Sequence, residues 1–277
     1  MEPPARVRRA LEELGPTFVK LGQVMATRVD LFEPAWIDEF SKLQDATPTL
    51  PFEALRSQLL EDLGDEPEAV FDDLVSTPLA SGSLAQVYAA TLKNGTPVIL
   101  KVRRPGIRPV IEADLRLLAR LANLTQTRRP ELHRYRLRDV VQQFRRSLLR
   151  ELDFAAECRN AERVAANFRG RTEIVVPKVH WAWTGERLNV QDRVVGISGR
   201  NLAAVEAAGL DRRLLARRGH AVPETGGVGA LRAGGHRKPW QAQPAGAIVG
   251  SVWLLGSIWR SGHRRAGQRL DQKDNSG

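Results

Sequence analysis

An α+β fold is predicted for this 277-residue chain by three features of its sequence. Two strand-length apolar runs flank Asn94-Gly95, amphipathic helical segments precede them, and a long helical pattern follows. With 42% hydrophobic and 27% charged residues, the chain can bury a sizeable core. The central hairpin is Leu84 to Leu92 and Pro97 to Val102, joined through Asn94-Gly95, two residues that tolerate the positive φ of a tight turn. Before it stands Ala80-Ser81-Gly82-Ser83, with almost no side-chain bulk. A corner that small lets backbone N–H groups approach a phosphate, and Lys101 at the end of the next strand can offer a point charge to the same anion. Taken alone, the pattern also suits a plain tight corner with a solvated lysine, and that reading is favoured.

Val7 to Leu14 is helical by pattern and stops at Gly15-Pro16, because proline lacks a donor and restricts the residue before it. A second helix starts at Thr17 and holds Lys20, Gly22 and Gln23 in its interior. Glycine there costs about 1 kcal/mol against alanine, which points to close approach by a neighbouring group. Asp30 to Pro34 reads as a turn, and Pro34 to Leu43 and Phe52 to Leu63 as further helices, the latter with Leu55, Leu59 and Leu63 on one stripe. After the hairpin, Ile107, Ile111, Leu115, Leu118 and Leu121 make another stripe, closed by the polar linker 126–130. One long helix is expected from about Arg138 to Phe168, with Asp153 and Glu157 on a common face and Glu151 on another. As surface carboxylates these three read most simply as solvated. Strands are expected at Glu173 to Val176 and Leu188 to Val195 around a Gly185 turn, and helices at Asn201 to Ala208 and Leu210 to Arg218.

Charge and cysteine content exclude several classes. The net charge of +10 comes from 42 basic and 32 acidic residues, and half of the excess lies in residues 219–277, which hold 8 basic and 3 acidic. Elsewhere the two signs are interspersed, as on a solvated globular surface, and no base-reading motif or aromatic stacking platform supports nucleic-acid binding. The single cysteine, Cys158, excludes an internal disulfide. The five histidines lack metal-ligand spacing, so no metal site is expected from them. The N-terminus has no apolar stretch of signal-peptide type, and a cytoplasmic protein, or one peripheral on the inner membrane, is expected.

The order of helices, hairpin, long helix, two strands and helices is that of a kinase N-lobe preceded by a helical extension. Four stretches in that order resemble the UbiB (AarF) family of atypical protein-kinase-like proteins. LGPTFVKLGQVMATRVDL, Leu14 to Leu31, resembles its K-x-G-Q helix, with Lys20, Gly22 and Gln23 at the motif positions. ASGSLAQVY, Ala80 to Tyr88, is similar to the family's alanine-rich loop, and VILKVRRPGI, Val98 to Ile107, to its lysine-bearing strand. ELDFAAECRNAERV, Glu151 to Val164, resembles the E-x-D motif, Glu151 and Asp153, followed by the lysine-pairing glutamate, Glu157.

The resemblance implies an ATP- or ADP-binding protein associated with ubiquinone biosynthesis, with ATPase or lipid-linked roles favoured over protein phosphorylation. Lys101 would hold phosphate oxygens and pair with Glu157, with Ala80, Ser81, Gly82 and Ser83 covering the phosphates. Lys20 and Gln23 would sit near Glu151 and Asp153, and Gln191 to Gly196 would form the adenine-contacting hinge. Magnesium is expected for the family. Its protein ligands, an Asp and Asn of the catalytic loop and the Asp of Asp-Phe-Gly, have no counterpart in this sequence. Implied partners are the nucleotide, membrane lipid and quinone-biosynthesis proteins.

Three regions are expected: a helical extension over 1–70, the kinase-like lobe over 71–218, and an irregular tail over 219–277. The tail holds 12 of 23 glycines and three of six tryptophans, and it suits either an out-of-frame replacement of the C-lobe or a divergent disordered segment. Its apolar patch, Ala245 to Trp259, is short of the roughly 20 residues that span a bilayer. Two functional readings follow: a catalytically impaired, truncated atypical kinase, or a non-catalytic pseudokinase fragment that binds lipid or protein.

Overall fold

Three prolines open the first three helices, α1 (Pro3–Leu14), α2 (Pro16–Met25) and α3 (Pro34–Ser41), at the position where a missing N–H costs nothing. The computed structural model describes residues 2–43, 48–171, 174–198 and 201–211, with two short strands at 230–232 and 247–249. The α1–α3 extension closes over its own core of Leu11, Phe18, Val19, Phe40 and Leu43. Gly15, at φ 97°, makes the sharp reversal between α1 and α2 that a side chain would strain. Gly22 serves a different need. A Cβ there would collide with Leu43 Cδ1 and stand 2.9 Å from Leu11 Cδ1, so glycine lets the extension's core close against α2.

The next elements are α4 (Glu53–Leu63), α5 (Pro67–Val70), β1 (Phe71–Leu74), β2 (Ala80–Ser81), β3 (Ala85–Leu92) and β4 (Pro97–Arg103). Then come α6 (Ile107–Arg128), α7 (Leu137–Glu151), α8 (Phe154–Asn167), β5 (Ile174–Val175), β6 (Leu188–Asp192), β7 (Ile197–Ser198) and α9 (Leu202–Ala207). A five-stranded antiparallel sheet runs β1-β3-β4-β6, with β2 also paired to β3. One face carries Tyr88, Ala90, Leu92, Val98, Leu100, Val102, Leu188 and Val190 and packs on Leu55, Leu59 and Leu63 of α4. This alternation is the pleat's own period of two. A separate core joins Leu84 to Ile107, Ile111 and Leu115 of α6 and to Phe144 and Leu148 of α7. The fold is thus α+β, a kinase-like N-lobe with a helical extension.

Two local expectations need correction, and two strands were not foreseen. The β3–β4 loop is three residues, because Leu92 N–H bonds the Thr96 carbonyl and Gly95 N–H the Leu92 carbonyl. Gly95 alone has positive φ, at 79°, so Asn94 does not share the left-handed role. Its side chain instead accepts the Thr96 N–H at 3.0 Å. The long helix is two helices. Asp153 adopts extended φ/ψ and accepts the Ala156 N–H at 2.9 Å, so it caps α8 and does not share a helical face with Glu157. Finally, β1 and β2 carry no clear sequence signal. Phe-Asp-Asp-Leu puts two aspartates on an edge strand, and β2 is two small residues long.

Within 219–277 the described residues are β8 (Ala230–Arg232) and β9 (Ala247–Val249), which join β5 and β7 in a second sheet of order β5-β8-β9-β7. Apart from these two strands, the tail expected over 219–277, whether out of frame or divergent, falls outside the described residues, as do the expected helix beyond Asp211 and the apolar run 245–259 apart from β9. Among the described residues no helix is long and apolar enough to cross a membrane.

Two measurements probe this packing. Gly22→Val should lower unfolding free energy by about 1–3 kcal/mol through overpacking. Gly185→Ala, where an added Cβ meets nothing within 4 Å, should change it by less than about 0.5 kcal/mol. Cys158 is buried, and burial followed by the neighbouring Glu157 charge pushes its thiol up to about 12. Since the thiolate is the reactive form, a thiol-alkylating reagent at pH 8 should leave the native protein unlabelled and label it stoichiometrically in denaturant, read by mass spectrometry.

Candidate functional site

The face of the sheet opposite the apolar core presents charge. β4 reads Val-Ile-Leu-Lys-Val-Arg, so that Leu100 and Val102 enter the core while Lys101 and Arg103 point the other way, and both cations are buried. A buried charge is tolerated only when paired and hydrogen-bonded. The acceptors come from the α7–α8 junction and α8.

Lys101 Nζ stands 2.8 Å from Glu157 Oε2 on the first turn of α8 and 4.4 Å from the centroid of the Phe154 ring. The ion pair and the ring hold the ammonium from two sides. Arg103 Nη1 donates to the Leu152 carbonyl at 2.8 Å and to Glu186 Oε1 at 2.9 Å. The Leu152 carbonyl lies at the helix break, so Arg103 satisfies a group that a continuous helix would have used internally. Phe154 N–H donates to the Glu186 carbonyl at 3.2 Å, tying the same break to the turn before β6. The Arg103 hydrogen bond holds the Glu186 carboxyl below its ordinary range.

Arg104, just past β4, is also buried, with Nε donating to the Gly82 carbonyl at 2.8 Å and one terminal nitrogen to Ser81 Oγ at 2.9 Å and the Pro48 carbonyl at 2.8 Å. These three acceptors are neutral, and burial pushes the guanidinium's pKa down. Gln86, fully buried on β3, grips the same linker: it accepts the Leu50 N–H at 2.7 Å and donates to the Leu50 carbonyl at 3.2 Å and to Tyr88 Oη at 2.7 Å. The Ala80–Ser83 corner is therefore a hairpin of its own. Ala80 and Ser81 pair with Val87 and Gln86, and Gly82 N–H donates to the Ala85 carbonyl at 2.9 Å.

The extension meets this assembly through α2. Lys20 Nζ lies 2.9 Å from Glu151 Oε1 at the end of α7, and Thr17 Oγ1 donates to Asp114 Oδ2 of α6 at 2.6 Å. Gln23 Nε2 donates to the Leu43 carbonyl at 3.2 Å. Asp153 Oδ2 lies 3.7 Å from Arg159. The structure thus brings Lys101 to Glu157 and Lys20 to Glu151, two pairs on either side of the α7–α8 break. Among the described residues no group of three or more His, Cys, Asp or Glu could hold a metal ion, so no step through magnesium is derived.

Sequence reasoning missed Arg103, Arg104, Gln86, Phe154 and Glu186. For the two arginines the only available signal was the Arg103-Arg104 pair, with one residue between it and Lys101, a pattern that ordinarily marks a solvated strand end.

Comparison with known proteins places this chain in a family. The ABC1 atypical kinase-like domain matches residues 42–223. A probable protein kinase UbiB from Aeromonas hydrophila is 44% identical over 216 residues, 78% of this chain and 40% of that protein. One from Vibrio cholerae is 43% identical over 220 residues, with the same shares. The chain spans about 40% of the length of these curated relatives. A solved structure, the complex of Rv3197 with erythromycin from Mycobacterium tuberculosis, is similar over 68% of this chain and 47% of its own, at 23% identity and a TM-score of 0.47. With the domain match running from the linker before α4 past the end of α9, this chain belongs to the ABC1 atypical kinase-like family.

Proposed function

We propose that the chain binds a nucleotide, ATP or ADP, at Lys101, and serves the quinone-biosynthesis type of its family as a peripheral protein of the inner membrane. The observation that carries this reading is the 2.8 Å pair between Lys101 and Glu157, built from a strand and a helix that are distant in sequence. In kinase-like phosphoryl-transfer sites such a pair fixes the ammonium against the phosphates. Here Glu157 and the Phe154 ring orient Lys101, and the Ala80–Ser83 corner lies at the same end of the hairpin. Arg104 holds that corner from behind through Gly82 and Ser81 and adds positive potential where a phosphate would arrive.

Binding and turnover separate in this reading. The sequence contains no Asp-Phe-Gly, and past Asp211 its only aspartates are Asp271 and Asp274. Phosphoryl transfer needs carboxylates to hold metal and orient the nucleophile. The reading therefore rests on nucleotide binding and assigns no transfer step to these residues.

Lys101→Ala removes the charge-assisted contact and should raise the ADP dissociation constant about 10–100-fold in calorimetric titration; an unchanged affinity refutes the assignment. Arg104→Met leaves three acceptors without their donor and should cost about 2–4 kcal/mol of stability. It should also speed amide hydrogen exchange across residues 79–85. Arg104→Lys should restore little of either, because a single ammonium cannot reproduce the guanidinium's fork.

A further inference from the structure

The helical hairpin α6–α7 carries a feature that the core does not use. α6 buries Ile107, Ile111, Leu115 and Ala122, and a surface helix of this kind is expected to be polar round the rest of its circumference. It is not. Val110, Leu117, Leu121 and Leu124 are 48–50% exposed and form a second stripe, about 110° round the axis from the buried one. Their steps of seven, four and three residues keep to the two seam positions of a heptad, over a length of about 21 Å. The seam position between Val110 and Leu117 falls to Asp114, whose carboxylate accepts the Thr17 hydroxyl of α2 at 2.6 Å. A stripe this narrow is the form a helix takes where a second helix lies along it.

The charge beside the stripe has one sign. From Ile107 to Glu151 the chain holds 11 arginines and five carboxylates. All five carboxylates are engaged. Glu112 pairs with Arg108 at 3.0 Å, Glu131 with Arg129 at 3.5 Å, Asp139 with Arg136 at 2.8 Å and Glu151 with Lys20 at 2.9 Å, and Asp114 is held by Thr17. Arg116 and Arg120 flank the leucines, and Arg128 takes the seam position after Leu124. All three are exposed, and among the described residues none has a carboxylate partner. A single exposed leucine is ordinary on a surface, whereas an aligned apolar stripe rimmed by charge marks a contact.

We infer that this face of α6 docks an amphipathic helix of another protein, one whose apolar stripe runs between acidic flanks. The docking is independent of nucleotide at Lys101. The leucines would pack into the partner's seam, and its Glu or Asp side chains would meet Arg116, Arg120 and Arg128, since charges flanking a seam set the choice of partner. Other occupants fit less well. A second copy related by a two-fold axis would set arginines against arginines. Residues 219–277, with 8 basic and 3 acidic, carry the same sign as the hairpin. Helices that lie in a lipid interface bury a broad apolar face, whereas the exposed stripe of α6 is one side chain wide and the helix has no aromatic residue.

The test uses the full chain and a helical peptide of about four heptads with Leu at both seam positions and Glu at the flanking ones. The same peptide with Lys in place of Glu is its counterpart, and fluorescence anisotropy reads both. The Glu peptide should bind about 10-fold or more tightly than the Lys peptide. The double variant Leu117→Gln, Leu121→Gln should weaken it about 10-fold or more without lowering the melting temperature, because both side chains are half exposed. Arg116→Glu with Arg120→Glu should turn the preference toward the Lys peptide. Absence of binding, equal binding of the two peptides, or affinity that survives loss of the leucines overturns the inference, as does a preference that charge reversal leaves unchanged. Two further outcomes give the face to another occupant and also overturn it. One is co-sedimentation with phosphatidylglycerol vesicles that the leucine variant abolishes and the Glu peptide does not compete. The other is a dimer in analytical ultracentrifugation that the same variant dissociates.

Discussion

The lobe is organised by the burial of β4 on both of its faces. One face is apolar and finds its place against α4 through hydrophobic burial alone. The other bears Lys101 and Arg103, with Arg104 one residue beyond, and each of these buried cations has to be given acceptors. The acceptors sit on different elements: Glu157 on α8, the Leu152 carbonyl at the α7–α8 break with Glu186 before β6, and Gly82, Ser81 and Pro48 at the corner and linker. Burying one strand therefore draws four separate stretches of chain together. Non-directional packing sets where the sheet lies, and directional hydrogen bonds set what gathers around it.

How much of this the sequence disclosed follows from the physics of each part. The hairpin, the α4 stripe and the α6 stripe were legible because apolar periodicity of two or 3.6 residues is a direct imprint of burial. Lys101, Glu157, Lys20 and Glu151 were legible as motif positions, and the family resemblance also implied the Lys101–Glu157 pair and a place for Lys20 near Glu151; the distances come only from the folded chain. Arg103 and Arg104 were not. Their burial depends on carbonyls at Leu152, Gly82 and Pro48, and backbone acceptors leave no trace in side-chain pattern. The α7–α8 break was missed for a related reason. Asp153 inside an otherwise helical run reads as one more surface carboxylate, until its side chain is seen on the Ala156 amide.

That break matters for how the extension connects to the site. Lys20 grips Glu151 at the end of α7, while Lys101 grips Glu157 in the first turn of α8. Between them the backbone leaves the helical ladder for Leu152 and Asp153 and is held by Arg103 and by the Asp153 cap. The two ion pairs thus act on separate helices that share a pinned joint, and Arg103 belongs mechanically to both.

The three-residue loop at Lys93, Asn94 and Gly95 has a consequence far from its own position. Because side chains alternate along a strand, the loop's length decides the parity of β4 relative to β3. One inserted residue that shifted the pairing would turn Leu100 and Val102 toward the ion pairs and drive Lys101 and Arg103 into the apolar layer against α4. Two inserted residues would restore parity. The hairpin tip therefore acts as a parity switch for the lobe, where the evenness of an insertion outweighs its composition.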